Sequence, residues 1–203
     1  MRYLFSQERK EIRGKFNRER LVLAAMQNVN QLYYMMDTQF EGLYDIEAYE
    51  RRRQYGPNEI KLSGHALKSG ALFADYGELD FLVNTLSKQK AAVFRKGTDL
   101  YVETDIDSIV PGDIVFLSSG DVVPADVRIL YDRELLVDQH IFTSDEDPVL
   151  KRSSLGGYSC SMSVVAGIPD ICLMGTQVIS GMARALVIGT GSATYLGKIV
   201  YGY

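Results

Sequence analysis

The chain has 203 residues, of which 46% are apolar and 24% charged, and carries a net charge of −4. That balance belongs to a folded protein, excludes wholesale disorder, and gives no global argument for nucleic acid binding. Charge is uneven, however: residues 1–20 hold seven basic side chains against three acids, an arm that could lie on anionic lipid headgroups or simply be a solvated helix start.

Leu21, Ala25, Val29, Leu32 and Met36 recur at spacings of three and four, which predicts helix with one apolar stripe across the first forty residues. After Gly42 a second helix is predicted over 45–53, with Asp45 as its cap and Gly56-Pro57 as its stop. Residues 58–78 hold three glycines and little pattern, so they read as a linker. A short helix is predicted over 79–90. From Ala91 the pattern changes to short strands: AAVFR, LYVET, DIVFL, DVRILY and ELLVD, then ICLMGTQVIS and ARALVIGTG. Between them stand the turn signals Lys96-Gly97, Val110-Pro111-Gly112-Asp113, Ser119-Gly120-Asp121 and Pro124-Ala125-Asp126. Strands at intervals of roughly 8–12 residues favour a β-sandwich or small barrel over a parallel sheet. Alternation nominates Val93, Val115, Leu117, Val127, Ile129, Val137, Val178, Leu186 and Ile188 for the core.

The two cysteines, Cys160 and Cys172, lack CxxC spacing and a secretory leader is absent, which predicts free thiols in a reduced, cytoplasmic setting. His65 and His140 lie far apart with no cysteine companion, so no zinc pattern arises. No apolar run approaches the ~18 residues of a membrane helix. GxxxxGK[ST], GxSxG and HExxH are all missing, and Gly189-Thr190-Gly191 does not continue into a dinucleotide fingerprint.

The specific signal is an order of turns. Pro111-Gly112-Asp113, Gly120-Asp121 with Pro124-Ala125-Asp126, and Val137-Asp138 leading to Thr143 and Pro148-Val149 follow one another along the chain. In this order they resemble the actuator domain of P-type cation-transporting ATPases. GLYDIEAYERRRQYGPNEI resembles the helical segment before the first membrane helix of such pumps, so the resemblance covers residues 21–57 and 86–199. Within the family it is strongest to bacterial magnesium-transporting pumps, partly through LMGTQVISG. The resemblance implies an α+β protein, a distorted antiparallel β-sandwich or jelly roll beside N-terminal helices. Residues 1–57 would be the helical segment, 58–85 a linker in place of the first membrane hairpin, and 86–203 the β-rich actuator domain. The hairpin was either removed deliberately or lost naturally.

The resemblance also locates a site. The family loop Thr-Gly-Glu-Ser aligns with Thr143-Ser144-Asp145-Glu146, and its glutamate positions water on an aspartyl-phosphate held by another domain. Here Ser144 replaces the glycine, and Asp145, one methylene shorter, replaces the glutamate; Glu146 reaches that place only if the loop shifts by one residue. A misplacement of ~1 Å can cost about a hundredfold in rate, so the resemblance implies weakened hydrolysis. Asp145 and Glu146 are therefore the candidate catalytic residues. Ser144, Asp147, Pro148 and Val149 complete the loop with Thr143, and Asp138 and Gln139 brace it. The plainer reading of SDEDP is a solvated acidic turn. Asp113, Asp121 and Asp126 read as turn caps, and the 141–149 loop is expected to be exposed and mobile.

By the same resemblance no cofactor or metal binds this chain; ATP and Mg2+ belong elsewhere in a full-length pump. Its partners would be the phosphorylation domain and membrane helices, at the cytoplasmic face of the membrane. A stand-alone, soluble cytoplasmic binding or regulatory module is the alternative. A β-barrel enzyme or metal-binding module unrelated to pumps would need convergent acids or histidines.

Overall fold

A computed structural model describes residues 18–62, 76–98, 100–143, 147–154 and 165–201. Residues 1–17 of the basic arm, residues 63–75 of the expected linker and Cys160 lie outside them. The described chain begins with α1 (Arg18–Met26), α2 (Val29–Met36), α3 (Asp45–Tyr55) and α4 (Tyr76–Leu86). There follow β1 (Lys90–Phe94), β2 (Tyr101–Asp105), β3 (Ile114–Ser118), β4 (Asp126–Asp138), β5 (Val149–Lys151), β6 (Ile171–Cys172), β7 (Gln177–Gly189) and α5 (Tyr195–Tyr201).

The apolar stripe of the first forty residues is not one helix. Asn28 interrupts it: its side chain accepts the Gln31 N–H at 2.9 Å while the Gln31 side chain accepts the Asn28 N–H. This reciprocal cap starts a new helix in place of the next turn of the old one. Leu21, Ala25 and Leu32 are buried as expected, whereas Val29 and Met36 are only half-buried. The cap of α3 is Tyr44 rather than Asp45; Glu47 accepts the Tyr44 N–H at 2.8 Å, and Asp45, first in the helix, faces Arg95 at 3.4 Å. Gly56, at φ 83°, ends the helix as its sequence predicts.

An α+β fold with a distorted antiparallel β body and N-terminal helices is what the chain adopts. Among the described residues all seven strands pair antiparallel, in the order β2-β1-β3-β7-β4-β5, with β6 also on β4. The distortion lies in β4 and β7, which are 13 residues each and shift register at several points. DVRILY and ELLVD, predicted as two strands, are one bulged strand. At the bulge Glu134 adopts φ 49° opposite Gly181 at φ 81°, where a Cβ would sit 2.2 Å from the Glu134 carbonyl oxygen. Only glycine admits that approach, so the chain bends there without breaking.

All nine nominated core residues are at most 1% exposed. Inward-facing strand positions explain this: they pack against α1, α2 and α4, while β2 is largely exposed and parts of β4 and β7 are buried on both faces. Beyond the expected linker start, Asn58 is buried and stitches the chain to the body. Its amide donates to the carbonyls of Ile106 and Pro124, at 3.0 and 2.9 Å, and its oxygen accepts the Gly191 N–H at 2.9 Å. Among the described residues no helix is long and apolar enough to cross a membrane.

Candidate functional site

The candidate loop joins β4 to β5. Leu135, Leu136 and Val137 pair with Lys151, Leu150 and Val149, so the loop leaves and returns on an antiparallel hairpin. Its first half is a 3-10 turn, His140–Phe142. The Asp138 carboxylate accepts the His140 backbone N–H at 3.0 Å and lies 2.7 Å from His140 Nδ1. The Gln139 carbonyl accepts the Phe142 N–H at 2.9 Å and the Thr143 hydroxyl at 3.4 Å. Asp138 and Gln139 thus bond the ascending limb: Asp138 through its side chain, Gln139 through its backbone.

Exposure of the loop is divided. Asp147 and Pro148 are exposed, and Ile141, Thr143 and Val149 half-buried, but Phe142 is only 2% exposed, which corrects the expectation of an exposed loop throughout. Its ring meets Tyr195 edge-on, with centroids 5.3 Å apart. An aromatic in a loop that solvent surrounds would lose this burial, so Phe142 plugs the loop's foot into the body. Ser144, Asp145 and Glu146 lie outside the described residues. Beside the foot, α4 and the loop enclose a cavity of about 400 Å3 that Phe81, Leu82, Asp138, His140 and Ile141 line.

The three turn aspartates are buried or half-buried acceptors. Asp121 accepts the Ser118 N–H and hydroxyl, at 2.7 and 3.0 Å. Asp113 accepts the Val110 N–H at 2.9 Å and pairs with buried Arg95; burial nonetheless raises its pKa, against the pull of that arginine. Gly112 between them stands at φ 98°, where a Cβ would collide with the Arg51 guanidinium. Asp126 works over a longer range than a turn cap. It accepts the Met174 N–H at 2.9 Å and the Tyr195 N–H at 2.7 Å, which fixes α5 and hence the ring beneath Phe142. Complete burial pushes its pKa up to about 7, against those two hydrogen bonds and the charge of Arg20.

The descending limb rests on groups that the sequence reading missed. Lys151, 1% exposed, donates to the carbonyls of Ala166 and Ile168 at 2.6 and 3.1 Å. Nearby, Arg128 and Asp170 form a buried ion pair at 3.1 Å, and the Ser154 hydroxyl donates to the same carboxylate. Burial raises the Asp170 pKa, with Ser154 and Arg128 opposing it, and pushes the Cys172 thiol up to about 11, so that this cysteine stays protonated. The signal for Lys151 was present in the alternation itself: two residues beyond half-buried Val149, a strand must turn it inward. Among the described residues no three His, Cys, Asp or Glu side chains gather as metal ligands.

Comparison with known proteins adds a lineage. The model of the P-type ATPase actuator domain matches residues 85–202. Over 104 residues the chain is 41% identical to the "Magnesium-transporting ATPase, P-type 1" of Escherichia coli (strain K12), a span covering 51% of this chain and 11% of that protein. Over 93 residues it is 39% identical to the "Calcium-transporting ATPase type 2C member 2" of Rattus norvegicus, covering 45% of this chain and 9% of that one. Among solved structures, a zinc-transporting PIB-type ATPase in its E2.Pi state aligns with a TM-score of 0.44 and 19% identity, over 58% of this chain and 17% of that one. The matched span is thus about a tenth of the length of these curated relatives.

Proposed function

The chain belongs to the P-type ATPase actuator domain family, and from that premise we propose that it serves as the actuator module of a cation-transporting ATPase, with Mg2+ as the transported ion. The observation that carries this reading is the loop's mounting: a hairpin braced at both feet presents Asp147 and Pro148 outward from a dense β body. A module that hydrolyses nothing alone, but brings an acidic tip to an aspartyl-phosphate elsewhere, needs that combination of stiff support and projecting loop. Asp145, or Glu146 after a one-residue shift, would hold the water, with Thr143, Ser144, Pro148 and Val149 shaping the loop. Asp138 and Gln139 would brace it. ATP and Mg2+ would act on the phosphorylation and nucleotide parts of the pump, in the same chain or a partner. The module would work at the cytoplasmic face of the membrane, with residues 1–20 against anionic lipid. In this reading residues 1–57 and 86–203 are the working parts and 58–85 replaces a membrane hairpin. Likeness to the magnesium-transporting relative supports the choice of ion.

Asp145→Ala in the full-length parent tests the reading. Loss of a positioned general base should slow phosphoenzyme decay by about a hundredfold; unchanged decay, with Glu146→Ala also silent, would remove the hydrolytic role. The substitutions at Ser144 and Asp145 favour a second reading, a stand-alone actuator-like domain that docks on a partner. A reading frame that continues into Asp-Lys-Thr-Gly-Thr and membrane segments would decide against it.

A further inference from the structure

Lys151 ends a strand of three residues that must return the whole loop to the body. Leu150 points outward and Lys151 inward, where its ammonium reaches the carbonyls of Ala166 and Ile168. These oxygens belong to the 3-10 turn Val165–Gly167 and its exit toward β6. A buried ammonium is costly, and burial pushes its pKa down against the field of Asp170. A methionine would fill the same space without that cost. What it lacks is donors: the Ala166 carbonyl would lose the ammonium, and the Ile168 carbonyl would keep only the Ile171 N–H at 3.3 Å. The chain beyond the strand is tied on two sides: the Arg152 N–H donates to the Pro169 carbonyl at 2.9 Å, and Ser153 donates twice to Asp132 of β4. The descending foot is therefore clamped by polar bonds, while the ascending foot is held by the packing of Phe142.

We propose that Lys151 is a positioning residue for the acidic loop, whose ammonium clamps the returning strand to the 165–168 turn and so sets the direction in which Asp147 and Pro148 leave the sheet. The consequence for turnover rests on the hydrolytic reading above; the clamp itself does not.

Two measurements separate them. In this chain, hydrogen exchange followed by mass spectrometry should show residues 147–150 of Lys151→Met exchanging at least about tenfold faster, with β4 and β7 amides unchanged, and Lys151→Arg restoring protection. Wild-type exchange in the Met variant, or acceleration spread evenly over the sheet, would overturn the clamp. In the full-length parent, Lys151→Met should slow phosphoenzyme decay by about ten- to a hundredfold while its formation from ATP stays within about twofold, again with recovery in Lys151→Arg. Formation and decay falling together would overturn the positioning role. A silent Asp145→Ala, Glu146→Ala double variant would sink the hydrolytic reading, and the clamp would then be decided by exchange alone. If Lys151→Met does not accumulate as folded protein, Lys151→Gln, whose shorter amide cannot span both carbonyls, faces the same criteria.

Discussion

Asp126 shows how a motif residue can have a meaning larger than its motif. Its carboxylate sits between the backbone N–H groups of Met174 and Tyr195, with Arg20 nearby, and no solvent reaches it. Hydrogen bonds favour the ion and burial favours the acid; burial wins, and the pKa rises from 3.8 to about 7. The folded chain therefore holds a proton that the unfolded chain has released. Stability from this group is fully present below pH 3.8 and is lost as pH climbs through about 7. Unfolding free energies from urea titrations across that window should fall with rising pH, by on the order of 1.4 kcal/mol per unit at the steepest. Asp126→Asn should flatten this dependence, even though it loses stability of its own. A slope that survives the substitution would assign the effect to another group.

At the scale of elements, β4 and β7 do the organising. Their shared ladder runs nearly the whole 13 residues of each and positions both feet of the loop hairpin. The bulge at Glu134 and Gly181 bends the pair so that the far end of β4 can also carry β5. The ascending limb depends on one aromatic. Phe142→Ala should cost about 3–5 kcal/mol by chemical denaturation, the range for emptying a buried Phe site. Exchange across Ile141–Thr143 should rise more than in the β4–β7 ladder, because the lost contact with Tyr195 is at the loop's foot. A variant as stable as the parent would mean that Phe142 merely covers the surface.

For the whole molecule, the division of labour in the proposed function makes a direct forecast. A purified chain of this sequence should show no steady ATP turnover, and calorimetric titration with Mg2+ or Mn2+ should find no binding tighter than about millimolar, since adjacent acids alone cannot converge on one ion. Robust turnover that tracks the protein through purification would overturn the reading of an accessory module.

Much of this architecture is local, and local order is legible in sequence. Turn residues such as Pro111-Gly112-Asp113 mark where the chain reverses, and period-2 alternation identifies which side chains the strands bury, because both depend on neighbours only a few residues away. Even the helix break at Asn28 was written there, in an Asn three residues before a Gln, though the continuous apolar stripe overrode it. What only the tertiary structure decided is which distant groups meet. The pairing order of the strands, the fusion of two predicted strands through Gly181, the burial of Phe142 on Tyr195 and the grip of Lys151 on Ala166 and Ile168 all join residues by chain reversal. Spacing along the chain carries no record of such encounters, since a strand's pattern says which face turns inward and leaves open what it finds there.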